Sequence, residues 1–273
     1  MKFNCGITGH TGVLGSELIK KNNTIKFIRF YGDIANKKHV KDWLVKRNIN
    51  IIFHLAAIVP TKIVKKEPKK ANKVNYLGTK ILIDELIKLK KIKWFFFSST
   101  SHVYKFSQKK INEKSKLKPS SLYGLTKLKA EKYIQKKLKK AKIPFCIGRI
   151  FSFTHKKQTS DFVIPGIIKK AKSNKKIVYF ENTNHYRDFL STSDICKAIN
   201  ILFKKRANGI YNIGSGKKIL ISHIIKLIFK KYKKIYRINE KNKLTWLVAD
   251  INKIKKFKWK PKNNILSIIN ELT

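Results

Sequence analysis

What this chain has least of is negative charge. Its 273 residues carry 15 Asp and Glu against 64 Lys and Arg, a formal net charge of +49. Such an excess invites a nucleic-acid partner, because cations laid along a phosphate backbone release its counterions. Arginine, however, is scarce, with six residues in the whole chain, and base or phosphate recognition favours its planar fork. The lysines run from end to end rather than in one patch, and Lys, Asn, Ile, Phe and Tyr, all abundant, share A/T-rich codons. Genome base composition is a sufficient cause for a solvated lysine surface, so a nucleic-acid partner is not expected, although anionic small substrates are favoured. Cysteine is also scarce. Cys5, Cys146 and Cys196 are odd in number and far apart, which excludes a disulfide framework or a metal-ligand cluster and leaves reduced, buried thiols. No apolar run reaches the roughly 18–20 residues that span a bilayer, and the opening MKFNCGITGHTG meets a glycine loop too early for a secretory signal. A cytoplasmic chain with no membrane partner is expected.

What is present is a hydrophobic content of 42%, enough for a full core in one large domain or two interleaved lobes. Short apolar runs alternate with amphipathic stretches, the pattern of an α/β fold. KFNCGIT, IKFIRF, INIIFHLA, IKWFFFSS and IPFCIGRI read as strands, each nearly continuous in apolar residues, as parallel strands covered on both faces should be. GVLGSELIKK and stretches near 36–47, 72–90 and 121–140 read as helices between them, which predicts a doubly wound parallel sheet. Beyond residue 150 the elements shorten, with a helix at FVIPGIIKKA, strands at KIVYF and GIYNIG, and helices near 194–204 and 222–232. The expectation is a Rossmann domain over 1–152 and a smaller lobe over 153–273, with segments near 185–213 returning to the first.

The loop TGHTGVLG puts Gly9, Gly12 and Gly15 between a strand and a helix. Glycines there let the backbone turn tightly and approach a pyrophosphate, which meets the helix N-terminus and its free N–H groups. An acid about twenty residues on would hold the ribose of NAD. Near that place stands Arg29 instead, whose guanidinium suits a 2′-phosphate, so the cofactor is NADP or NAD with the balance towards NADP. Asp33, in GDI, is expected beside the adenine or capping the next helix. Three of the ten tyrosines have lysine four positions on: Tyr76 with Lys80, Tyr123 with Lys127, and Tyr133 with Lys137. Spacing alone does not choose among them.

Several motifs occur in one order. TGHTGVLG is followed by GDI, FHLAA, VNYLGT, FFFSSTSHVY, YGLTK, RDFLSTSDICKAI and GIYNIGSGK. In this the chain resembles the extended short-chain dehydrogenase/reductases, the NAD(P)-dependent epimerase/dehydratase family that acts on nucleotide sugars, and dehydrorhamnose-type reductases in particular. The resemblance covers nearly the whole chain. It implies a cofactor site at Gly9, Thr11, Gly12, Val13, Leu14, Gly15, Arg29, Asp33, Ile34, Leu55, Ala56, Ala57, Asn75 and Ser98, completed by Tyr123 and Lys127. It also implies a homodimer through the helices near 72–90 and 121–140, where Ile81, Leu82, Leu86 and Leu89 would suit either a subunit face or packing on the sheet.

The motif order singles out Tyr123, which follows the Ser-Thr loop and opens a helix at the strands' carboxyl ends. Four residues on, Lys127 lies on the same helix face. A cation about 5–6 Å away, at an effective dielectric near 20, contributes roughly 3 kcal/mol, enough to pull a phenol down by about two pH units. By resemblance Thr100 hydrogen-bonds the substrate oxygen, with Ser99 as the alternative, and Lys127 binds the nicotinamide ribose. Sugar dehydratases of the family carry Asp-Glu just after the threonine, whereas this chain has Ser101 and His102; elimination of water is therefore not expected, and His102 is placed at the rim. Arg187 is expected to grip the diphosphate of the substrate, or else to pair with Asp161 or Asp194, and Asp194 to cap its helix. Thr100, Ser101, Ser152 and Arg187 make up the substrate site. Ser152 stands where many 4-epimerases carry asparagine. The function implied is reduction of a nucleotide-linked 4-keto-hexose, with 4-epimerisation as the alternative and a non-catalytic NADP-sensing or RNA-binding module a distant third.

Overall fold

The computed structural model describes residues 3–59, 61–240 and 243–273. Lys2, expected to open the first strand, lies outside the described residues, and β1 runs Cys5–Thr8. There follow α1 (Val13–Lys20), β2 (Phe27–Arg29), α2 (Lys37–Lys46), β3 (Ile51–His54), the short α3 (Thr61–Lys66) and α4 (Pro68–Asn72), α5 (Thr79–Lys88), β4 (Trp94–Thr100), α6 (Leu122–Lys140) and β5 (Phe145–Ile150). The single helix expected near 72–90 is interrupted by a π-helical turn at Lys73–Gly78, which widens the helix where the Asn75 side chain turns inward. The second half adds β6 (Ser152–Thr154), α7 (Val163–Ala171), β7 (Ile177–Glu181), β8 (His185–Arg187), β9 (Phe189–Ser191), α8 (Thr192–Lys204), β10 (Gly209–Ile213), β11 (Ile219–Leu220), α9 (Ile221–Lys231), β12 (Ile235–Asn239) and β13 (Thr245–Leu247).

The principal sheet has the order β2-β1-β3-β4-β5-β10, and all of its pairings are parallel. Chain direction across the sheet reverses between β1 and β3, which opens a crevice at the carboxyl ends of those strands. The β10 strand comes back from the second half to close the far edge, whereas β11-β8-β13, β7-β12 and β6-β9 form small separate sheets. The β4 strand explains why the sheet is covered twice. Trp94 and Phe96 enter one core, Phe95 and Phe97 the other, and all four are fully buried. Successive side chains point to opposite faces, and each buried ring contributes on the order of 2–3 kcal/mol.

Polar contacts attach the second half to the sheet. Asp188 is fully buried and accepts hydrogen bonds from Ser215 N and Oγ (both 2.6 Å), Gly216 N (2.8 Å) and Ala249 N (3.1 Å). Ser191, not Asp194, caps α8 by accepting from Asp194 N at 3.0 Å. The Asp194 carboxylate instead receives Lys262 N and Asn263 N at 3.1 and 3.0 Å. Leu82 and Leu86 are fully buried in the core beneath α5, so they pack on the sheet and are not free for a subunit face. Cys5, Cys146 and Cys196 are buried free thiols.

Candidate active site

At the end of β1 the chain turns through Gly9, whose φ of +72° lies in the left-handed region. A Cβ there would stand 2.6 Å from Ala56 N, and one on Gly15 would stand 2.1 Å from Gly9 O. Both glycines are therefore fixed by close packing, Gly9 against the turn after β3 and Gly15 against the loop itself. Gly12 is exposed, and it begins α1 with no side-chain cap. The first N–H groups of that helix are left for an anion, which fits the pyrophosphate of a dinucleotide. Thr11 is exposed and Val13 half-buried beside it, while Leu14 turns into the core. Leu55, Ala56 and Ala57 line the facing turn, half-buried. His54 is fully buried under that turn and ties β1 to α5 through Thr8 Oγ1 (2.6 Å) and Thr79 Oγ1 (2.9 Å). Burial, then the Lys127 charge, pushes its imidazole down to about 3, so it is a neutral strut.

Arg29 is exposed at the sheet edge; burial, then the Arg29 charge, lowers the imidazole of His10, whose ring lies 4.7 Å from that of Tyr31. Asp33 neither caps α2 nor is free of partners: Asn36 is the cap, and Asp33 accepts from Ala35 N at 2.8 Å with Lys73 Nζ 3.9 Å away. Ile34 is 5% exposed and packs against Gly78, which places it in the core and not on an open surface.

Below the crevice, Ser121 caps α6 by accepting from Gly124 N at 3.1 Å. The helix then delivers Tyr123 and Lys127 into the interior, 8% and 1% exposed. Tyr123 lies close enough to Thr100, the last residue of β4, for that hydroxyl to oppose the effect of burial on its phenol. Ser99, the alternative hydroxyl, is engaged with Glu131, and Ser98 is half-buried on the opposite alternation. Asn75 braces the floor: it accepts from Ile58 N (2.8 Å), donates to Ile58 O (3.0 Å) and reaches Thr126 Oγ1 (3.3 Å).

The expected lowering of the Tyr123 phenol does not occur. Burial pushes it up to about 12, opposed by the Thr100 hydroxyl. No cation offsets that burial, because burial, against the pull of Glu131, brings Lys127 down to about 7. Its Nζ sits 4.0 Å above the Phe97 ring. A lysine that has already shed its proton offers no cation in the range where a phenol ionises. One further turn along α6, Glu131 forms a buried pair with Arg149, with Nη2 to Oε2 at 2.7 Å, and Arg149 also donates to Tyr104 Oη at 2.9 Å. Sequence inspection missed this pair, although the i, i+4, i+8 placing of Tyr123, Lys127 and Glu131 was the available signal.

His102, placed at the rim, is half-buried beside Tyr123. Its ring lies 6.0 Å from that of Tyr123, and its N–H donates to Thr100 Oγ1 at 3.2 Å. Arg187, half-buried, donates to Tyr186 O at 3.0 Å and stacks over Phe106 at 5.3 Å. Burial lowers it to about 10. The Asp194 carboxylate, considered as its partner, is taken up by the backbone at 262–263. Ser152 is half-buried in β6, and Ser101 is 1% exposed in the 3-10 turn after Thr100. Among the described residues no cluster of His, Cys, Asp or Glu could hold a metal, and no helix is long and apolar enough to cross a membrane.

A family model described as GDP-mannose 4,6 dehydratase matches residues 8–272. The chain belongs to that extended short-chain dehydrogenase/reductase family of NAD-dependent nucleotide-sugar epimerases and dehydratases. It is 31% identical to a dTDP-D-glucose 4,6-dehydratase of Dictyostelium discoideum over 70% of its own length but 47% of that protein's, so it spans about half of that relative. It is 24% identical to a putative UDP-glucose 4-epimerase of Methanocaldococcus jannaschii over 97% of this chain and 96% of the other. In fold it resembles RMD of Pseudomonas aeruginosa complexed with NADPH, with a TM-score of 0.88, 19% identity and coverage of 99% and 97%. The UDP-glucose 4-epimerase of Thermotoga maritima with UDP-glucose gives 0.85 at 20% identity, with the same coverage.

Proposed function

We propose that this family member transfers hydride between a nicotinamide and C4 of a nucleotide-linked hexose, working as a 4-keto-sugar reductase. The observation that carries the reading is a Tyr123 buried beside an equally buried Thr100, where burial holds its phenol protonated well above neutral pH. A phenol in that state is prepared to give a proton, not to take one, and reduction of a carbonyl needs a donor for the forming alkoxide. In this reading residues 1–152 hold the cofactor, with Gly9, Gly12 and Gly15 at the pyrophosphate, and residues 153–273 contribute the substrate lobe. When bound, NAD(P)H supplies the hydride. Thr100 polarises the carbonyl oxygen, and Tyr123 protonates it. Lys127, near 7 and one helical turn away, limits the cost of the phenolate left behind where it already carries its own proton, and the phenol is restored by a proton from solvent. Arg29 at the sheet edge favours NADP, and Arg187 serves the substrate diphosphate.

The second reading is 4-epimerisation, favoured by the near full-length match to the Methanocaldococcus protein. Elimination is disfavoured by Ser101 and His102. The deciding experiment offers NADPH and NADH with dTDP-, UDP- and GDP-linked 4-keto-6-deoxyhexoses. Stoichiometric loss of reduced cofactor with one of them is expected. Tightly held NAD, interconversion of C4 epimers and no net cofactor turnover would overturn the reductase in favour of the epimerase.

A further inference from the structure

We propose that the imidazole of His102 hydrogen-bonds a hydroxyl of the substrate's hexose next to the reacting carbon, and that this contact selects the sugar. The inference rests on the nucleotide-sugar reading of the site. Its geometric basis is that His102 adjoins both ends of the path a nucleotide sugar must take. On one side its ring packs edge-on against Tyr123, centroids 6.0 Å apart, where the carbonyl would react. On the other, Arg187, the cation assigned to the diphosphate, stacks 5.3 Å over Phe106, four residues farther along the segment that carries His102. A hexose joins the diphosphate to the reacting carbon, so it must pass this imidazole. The backbone fixes the ring there. His102 N donates to Thr100 Oγ1, and a Cβ on Gly124 would stand 2.3 Å from His102 O, so only glycine at that position lets the turn close on α6.

The chemistry of the ring agrees with its position. Among the described residues no protein hydrogen bond engages either ring nitrogen, whereas Asn75 is held by Ile58 and Thr126. Burial, reinforced by Arg187, lowers the imidazole to about 4, so it is neutral and presents one donor and one acceptor to a hydroxyl. A carboxylate at this position would accept only. The imidazole can therefore orient a hydroxyl as either donor or acceptor, and a site that hydrogen-bonds a hydroxyl discriminates strongly against sugars that lack it.

The test measures binding of UDP-glucose, dTDP-glucose and GDP-mannose, and of UDP, dTDP and GDP, to the wild-type protein, His102→Ala, His102→Phe and His102→Gln by calorimetry. We expect His102→Ala and His102→Phe to weaken the preferred sugar nucleotide about tenfold while leaving its diphosphate unchanged, and His102→Gln to recover most of the loss. Phenylalanine fills the space without a polar atom, so a purely packing role would leave that variant near wild type and overturn the proposal. Equal weakening of sugar nucleotide and diphosphate, or no change in any variant, would overturn it as well. If the wild-type protein binds none of the six ligands, the nucleotide-sugar reading itself fails, and this inference with it.

Discussion

Helix α6 carries two tyrosine–lysine pairs at the same spacing, one facing inward and one outward. Tyr133 lies ten residues beyond Tyr123, which rotates it about 80° around the helix and moves it from the crevice to the outer face. There its hydroxyl donates to Asp84, and Lys137 Nζ stands 3.8 Å from the same carboxylate and 5.5 Å above the Tyr133 ring. The third pair joins this outer group, with the Tyr76 ring 6.5 Å from Tyr133 and Lys80 Nζ 6.0 Å above it. Both phenols are raised by burial, but Tyr133 is raised further by its bond to an anion, while Tyr123 is opposed by a threonine hydroxyl. The outer phenol is occupied by a carboxylate. Among the described residues the inner one has only the Thr100 hydroxyl, at the end of β4, acting on it. Spacing makes the pair, and the partner of the hydroxyl determines whether it can do chemistry.

The largest effect that would sharpen this contrast is on stability. The carboxylate one turn beyond Lys127 is held by Arg149 with both side chains essentially unexposed. Arg149→Met should cost about 3–5 kcal/mol, because it leaves Glu131 charged and unpaired in a dry site, read as a fall in the urea unfolding midpoint at constant slope. Lys137→Met, at the solvent-exposed pair with Asp84, should change stability by no more than about 0.5 kcal/mol. Comparable losses in both would mean that the inner face is as wet as the outer. Next comes turnover. Tyr123→Phe should lower it at least about a hundredfold with little change in cofactor affinity, and Tyr133→Phe by less than about twofold. Near-normal turnover in Tyr123→Phe would remove that residue from the mechanism.

A pH dependence separates the two lysines. Lys127 has its folded value brought down to about 7 from 10.5, so between these values the unfolded chain binds a proton that the folded chain has lost. Stability therefore rises with pH across that window. From pH 7 to 8.5 this contribution should be about 1.5 kcal/mol, read as the difference between wild type and Lys127→Met, because the three buried thiols, raised in the fold and ionising at about 8.5 in the unfolded chain, oppose it equally in both. Lys137→Met should keep the wild-type slope. A slope that Lys127→Met leaves unchanged over this interval would show that Lys127 stays charged.

Much of this was legible in the chain. Alternating apolar runs gave the strands and helices of the principal sheet, because a strand such as WFFF buried on both faces can hardly be written otherwise. The glycine spacing located the tight turn between β1 and α1 for the same kind of reason, since two of those positions tolerate no Cβ. What stayed hidden depended on contacts between distant segments. Nothing in RDFL says that Asp188 will gather Ser215, Gly216 and Ala249, nor that His102 will sit against Tyr123. The ionisation of Tyr123 was misjudged because a helical model supplies the distance to Lys127 but not the burial that discharges it.

The smallest effect tests the outer pair alone. Tyr133 donates to a half-exposed carboxylate that Lys137 also approaches. Removing the hydroxyl leaves Asp84 with solvent and a lysine, so the desolvation penalty that makes inner losses large has no counterpart here. Tyr133→Phe should cost about 1 kcal/mol or less, measurable as a shift in urea midpoint, and that cost should be almost the same in a Lys137→Met background if the two contacts to Asp84 are independent. A loss of several kcal/mol would place Tyr133 and Asp84 in a covered interface, where the homodimer proposed through α5 and α6 would lie, and its dependence on protein concentration would then separate a subunit contact from one within the chain.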